Sequence, residues 1–155
     1  MSIQEGYSVQ RGAYLIPAAI LAMTISLAGR AAADDDDYPT WLPSSEAAVS
    51  VTGPVILFPD RFNAGQANFP WKEDSVVAQF KPDQGPIPAR VFQVTQTTNP
   101  PLLNGAKLCG EKTVNWIVMV PVPPGGLEID AYSVADKPSS ASSPGLCATY
   151  VYKRW

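Results

Sequence analysis

Val114-Asn115-Trp116-Ile117-Val118-Met119-Val120-Pro121-Val122-Pro123-Pro124-Gly125-Gly126-Leu127-Glu128-Ile129-Asp130-Ala131-Tyr132 is the stretch that decides the fold. Leu127, Ile129 and Ala131 alternate with Glu128, Asp130 and Tyr132, the pattern of a strand with one buried face. That alternation assigns Glu128 and Asp130 to the solvent side. In the preceding run Val114, Trp116, Val118 and Val120 line one side, while Ile117 and Met119 make the other side apolar too. Such a strand is expected at the centre of the structure, buried on both faces. Pro123-Pro124-Gly125-Gly126 between the two runs is turn chemistry.

Working outward, residues 89–97 place Arg90, Phe92 and Val94 on one face and Val91, Gln93 and Thr95 on the other. Their β-branched and aromatic side chains suit a pleated backbone. Residues 49–58, 76–80 and 147–152 complete about six predicted strands, the first of them kinked or divided at Gly53-Pro54. Turn signals separate the runs at Pro59-Asp60, Gln84-Gly85-Pro86, Asn99-Pro100-Pro101, Asn104-Gly105 and Pro144-Gly145. The 16 prolines break most windows long enough for an amphipathic helix. The expected fold is all-β: a small antiparallel sandwich or barrel with one disulfide, preceded by a signal peptide.

The signal is read at the N-terminus. Arg11 precedes a largely apolar run at 13–28, and Gly29-Arg30-Ala31-Ala32-Ala33 follows. Charged, apolar and small-residue regions in that order form a secretory signal, with Ala31 and Ala33 as the small side chains ahead of the cut. Membrane spanning takes about 20 apolar residues, more than this run supplies, so no stable anchor is expected after cleavage. The expected organisation is a signal peptide at 1–33, an acidic Pro-containing leader at 34–45 and a single β domain at 46–155. Removing the signal moves the net charge from −3 to about −4. A chain of that sign has no electrostatic attraction to nucleic acid, whose binding needs clustered Lys and Arg.

Cys109 and Cys147 both lie in the mature part, where an oxidising compartment makes their pairing the default. Closing that loop is worth roughly 4 kcal/mol on the chain-entropy model. The spacing does not fit a Cys-x-x-Cys redox site.

Histidine is absent from the chain. This excludes Ser-His-Asp and Cys-His nucleophiles and His-bearing catalytic metal sites. Carboxylate pairs remain, Glu73-Asp74 and Glu128 with Asp130, but two placed carboxylates need a cleft to act on a substrate. No phosphate-cradling or dinucleotide motif is present. The acidic run at 34–37 is expected as a solvated tail and not a metal site, because consecutive residues do not all face one ion. The chain is therefore expected to have no catalytic residues, no metal and no cofactor. The aromatic side chains offer contact surface instead, and Tyr132, Tyr150 and Tyr152 are the candidate binding patch.

Asn99-Pro100-Pro101-Leu102-Leu103-Asn104-Gly105, Leu108-Cys109-Gly110 and Gly145-Leu146-Cys147-Ala148-Thr149-Tyr150 resemble a pattern found in small uncharacterised exported proteins of proteobacteria. The likeness covers about half of the mature domain and implies export without an assigned activity. Ala89-Arg90 is similar to a fragment of the inhibitory segment of periplasmic c-type lysozyme inhibitors, which are also small disulfide-bearing β-barrels. The flanking residues of that segment are missing, so no inhibitory role is carried over. The expected function is a periplasmic or secreted non-catalytic module that binds an envelope protein or a small ligand. The loops at 99–105 and 137–144 are the expected contact regions. Lysozyme or protease inhibition and a carboxylate-dependent hydrolase are the alternatives.

Overall fold

Eight strands form where about six were expected, and they close into an antiparallel barrel. The structure, a computed structural model, describes residues 38–96 and 99–155. The proposed signal, its Ala31 and Ala33, and the acidic run at 34–37 lie outside the described residues. The strands are β1 (Thr40–Pro43), β2 (Val55–Leu57), β3 (Arg61–Ala64), β4 (Ala67–Val77), β5 (Ala89–Val94), β6 (Trp116–Val122), β7 (Gly126–Tyr132) and β8 (Leu146–Arg154). Each pairs with its successor in the chain, and β8 pairs with β1 through Trp41 opposite Arg154 and Pro43 opposite Tyr152. All-β, one disulfide and a barrel are what the molecule has.

Three sequence expectations are corrected. β1 falls inside the segment assigned to the leader: Thr40-Trp41-Leu42-Pro43 is a barrel strand, recruited by its two neighbours and not by a pattern of its own. The run at 49–58 divides at Gly53, as its Gly-Pro pair indicated, but its first half is a π-helical turn at Ala48–Thr52. β3 and most of β4 went unread because Asn63, Gln66, Asn68 and Pro70 dilute the apolar signal.

The side chains of the barrel form two layers. Phe62, Phe69, Trp71, Phe92, Ile117, Ile129, Tyr150 and Tyr152 point inward and form the main core. Trp71 stacks on Phe92 with centroids 4.4 Å apart, and on Phe62 at 5.9 Å. A second core lies outside the wall, where Val91, Val118, Val120, Trp116 and Tyr132 are covered by Phe80 and Ile87 of the 78–88 loop and by Ala141. Ala141 N–H donates to Phe80 O at 2.9 Å, which joins the 78–88 loop to the 133–145 loop across this face. Both faces of β6 are therefore buried, as its uninterrupted apolar run predicts.

One end of the barrel is plugged. Ala48 and Thr52 of the helical turn are buried against β8. Ser45 Oγ accepts from Ala48 N–H and Val151 N–H, at 3.2 and 3.0 Å, and fixes the turn to the strand. The 99–110 segment packs beside it, contributing Leu102 and Leu108 to the core.

The disulfide joins Cys109 to Cys147 across 38 residues. Ala131 pairs with Ala148 but Tyr132 pairs with Leu146, so Cys147 is the extra residue of a bulge. A bulged residue leaves the pleat, and this frees Cys147 to reach the plug. In a closed barrel the bond has no sheet edge to protect; it holds the plugging segment to the wall.

Replacing both cysteines by Ser is expected to lower unfolding free energy by roughly 2–5 kcal/mol, read as a drop in the urea midpoint with a slope that is the same or steeper, since the unfolded chain loses its cross-link. A midpoint within error of the parent would show that the plug holds without the bond.

Candidate functional site

The predicted tyrosine surface does not exist as a surface. Tyr132, Tyr150 and Tyr152 are each 0–1% exposed. Their rings face the cores because β8, beyond its bulge, turns Ala148, Tyr150 and Tyr152 inward and β7 turns Tyr132 toward the outer layer. Tyr150 Oη donates to Leu108 O at 2.6 Å, and Tyr152 Oη pairs with Thr52 Oγ1 at 2.7 Å. These two tyrosines anchor the plug from inside the lumen, each ring supplying apolar contact and each hydroxyl one bond. Burial raises all three phenols above the usual tyrosine range, with the charges of Asp130 and Glu128 adding to the effect at Tyr132.

Glu128 and Asp130 also depart from their predicted place. They share the outward face of β7, but the 78–88 loop covers that face, and Asp130 is 2% exposed. Lys81 of the loop forms an ion pair with Glu128. Thr149 Oγ1 donates to Asp130 Oδ1 at 2.6 Å. Tyr132 Oη, on the same face, has no hydrogen-bond partner among the described residues. Burial pushes the Asp130 carboxyl up to about 6, helped by the neighbouring Glu128 charge and opposed by the Thr149 hydrogen bond and Lys81. The pair stands under a loop and neither residue lines the barrel mouth. Alternation alone gave no warning, since the cover comes from a loop distant in sequence.

The two predicted contact loops are tied down as well. Asn99 Nδ2 donates to Gly110 O at 2.8 Å within the plug. Lys137 reaches Asp74 at 2.7 Å, and Ser143 Oγ accepts from the N–H groups of Ser139 and Ser140.

The open end of the barrel is the remaining concave site. It holds a cavity of about 490 Å³. Trp41, Leu57, Val76, Met119 and Leu127 line it, one each from β1, β2, β4, β6 and β7, and Pro121 adds to them. Register places all of them on the inward face: Trp41 opposes the core residue Val55, Leu57 opposes Phe62, Met119 opposes Ile129, and Leu127 opposes Tyr152. Below them the lumen is filled by the stacked aromatic residues. The plug closes one end; nothing equivalent among the described residues closes the other.

Arg90 is the one charged residue among those lining this cavity. It opposes Val76 and Met119 on the inward face of β5. Its Nε and Nη2 donate to the two carboxylate oxygens of Glu73 at 3.0 and 2.7 Å. That bidentate pair holds the Glu73 carboxyl below the usual range and raises the guanidinium further. Leu57, Arg90 and Met119 also border an adjoining cleft of about 270 Å³, walled by Tyr38, Phe58, Trp71 and Phe92. The sequence showed Arg90 in phase with Phe92 and Val94. Only closure of the barrel turns that phase into a polar group at the mouth.

Asp130 gives the fold a pH dependence of fixed sign. A carboxyl with its folded pKa raised binds its proton more tightly in the native state. Its contribution is full below about pH 3.8 and is lost as pH rises through about 6. The loss amounts to roughly 3 kcal/mol by the size of the shift. Asn at this position keeps an acceptor for Thr149 and cannot ionise. Urea midpoints of D130N are therefore expected to exceed those of the parent at pH 8 by more than at pH 4; parallel pH profiles would reject the assignment.

No protein-family model, curated protein or solved structure matches the chain.

Proposed function

We propose that this chain is an exported, non-catalytic binding module that holds a small apolar ligand in the open mouth of its barrel. The mouth cavity carries the proposal: about 490 Å³ of inward-facing apolar side chains, with one polar group, at the unplugged end. That volume and lining fall in the range of small-molecule sites, which are concave, mostly apolar and fitted with few polar groups. The barrel mouth is also where eight-stranded barrels have room for one ligand. Export is supported by the charged, apolar and small-residue order of 1–33 and by the resemblance to exported proteobacterial proteins. The non-catalytic character is supported by a sequence without histidine and by the position of the Glu128 and Asp130 pair under a loop. Of the two partner classes expected from sequence, the small ligand is favoured over an envelope protein because the tyrosines expected to make a contact face are internal.

N-phenyl-1-naphthylamine, an uncharged apolar dye that brightens out of water, tests this. Bound dye is expected to gain fluorescence with a saturable, one-site profile. Val76 is 58% exposed at the mouth, so V76W fills the opening without entering the core and is expected to weaken dye binding at least tenfold. No saturable signal, or equal binding by V76W, would reject the mouth as the site.

A further inference from the structure

We infer that the mouth selects an uncharged ligand bearing a hydrogen-bond acceptor, such as a ketone or ester on an apolar chain, and that the free edge of the Arg90 guanidinium holds that acceptor. The inference rests on the mouth being a ligand site and adds the chemistry that site would choose.

A guanidinium has five N–H donors. Arg90 spends one from Nε and one from Nη2 on Glu73. Its Nη1 makes no hydrogen bond to the described residues, and Arg90 borders both the mouth cavity and the adjoining cleft. The pair lies at the rim, with the Arg90 side chain 54% exposed and that of Glu73 39%, so the unused donors stand in water beside a space whose other walls are apolar, while the two charges cancel.

That cancellation decides the ligand's charge. A carboxylate brought to Nη1 would leave water for apolar walls and sit near the ionised Glu73, against a cation already neutralised. An ammonium would meet the guanidinium, beside a carboxylate whose charge that guanidinium already neutralises. A neutral acceptor has far less hydration to lose and gains a hydrogen bond from the guanidinium, read as about tenfold in affinity. The next cation along the rim, Arg154, lies over the Trp41 ring at 5.9 Å. Arg154 is not among the residues that line the cavity.

Competition against N-phenyl-1-naphthylamine with four ten-carbon compounds provides the test: 2-decanone, 1-decene, decanoate and decylammonium, at pH 7.5. 2-Decanone is expected to displace the dye at a concentration at least tenfold below each of the others. In the double variant R90M/E73Q, which leaves no lone carboxylate at the mouth, the ratio of ketone to alkene is expected to fall to near one. A circular dichroism spectrum identical to the parent's checks that the variant is folded. R154A is expected to leave the preference for ketone over decanoate in place. The inference fails if decanoate or decylammonium wins, if ketone and alkene tie, or if R90M/E73Q keeps the ketone preference. In those cases the mouth still binds apolar ligands. A dye that never binds the parent protein removes the mouth as a site and the inference with it.

Discussion

The pairing of β1 with β8 is the contact on which the rest of the molecule depends. It runs over three residue pairs, Trp41 with Arg154, Leu42 with Lys153 and Pro43 with Tyr152, yet it converts an eight-stranded meander into a cylinder. Without it two edges would stand open to another chain. With it the inward residues of every strand acquire a common interior, so Tyr152 on β8 can meet Thr52 and Arg90 on β5 can face Trp41 and Leu57 across a lumen. The plug, the disulfide that holds it and the open mouth are all defined relative to this closure.

What sequence could show follows from how local each determinant is. β6 and β7 were legible because their periodicity is complete within seven residues and is flanked by Pro and Gly. The disulfide was legible because only two cysteines exist. β1 was not, since four residues ending in Pro carry no period and are held by strands on either side that come later in the chain. The outward face of β7 was misassigned for the same reason. Glu128, Asp130 and Tyr132 alternate as a solvated face does, and Phe80 and Lys81, some fifty residues earlier, turn that face into an interior.

The candidate site was the least legible part, and its elements lie far apart along the chain. Trp41, Leu57, Arg90, Met119 and Leu127 share no motif and no spacing; they share a height in the barrel. The aromatic residues that seemed free to bind, Tyr150 and Tyr152, serve the opposite end. A tyrosine in a strand gives no sign of whether its hydroxyl reaches solvent or a buried carbonyl such as that of Leu108. The charge inside the mouth was likewise hidden, because Glu73 and Arg90 meet only through the register of β4 on β5.

The wall of this barrel has unequal thickness. β5, β6 and β7 carry an inner core, a sheet and an outer apolar layer sealed by the 78–88 and 133–145 loops. β1, β2 and β3 are three or four residues long and belong to the inner core alone. Opening free energy tracks how much apolar contact a segment must give up. The wall is thus double on one side and single on the other, and Trp41 and Leu57 stand on the single side of the mouth. Local opening is expected to be easiest on that side, while β5, held between two apolar layers, keeps Arg90 in place.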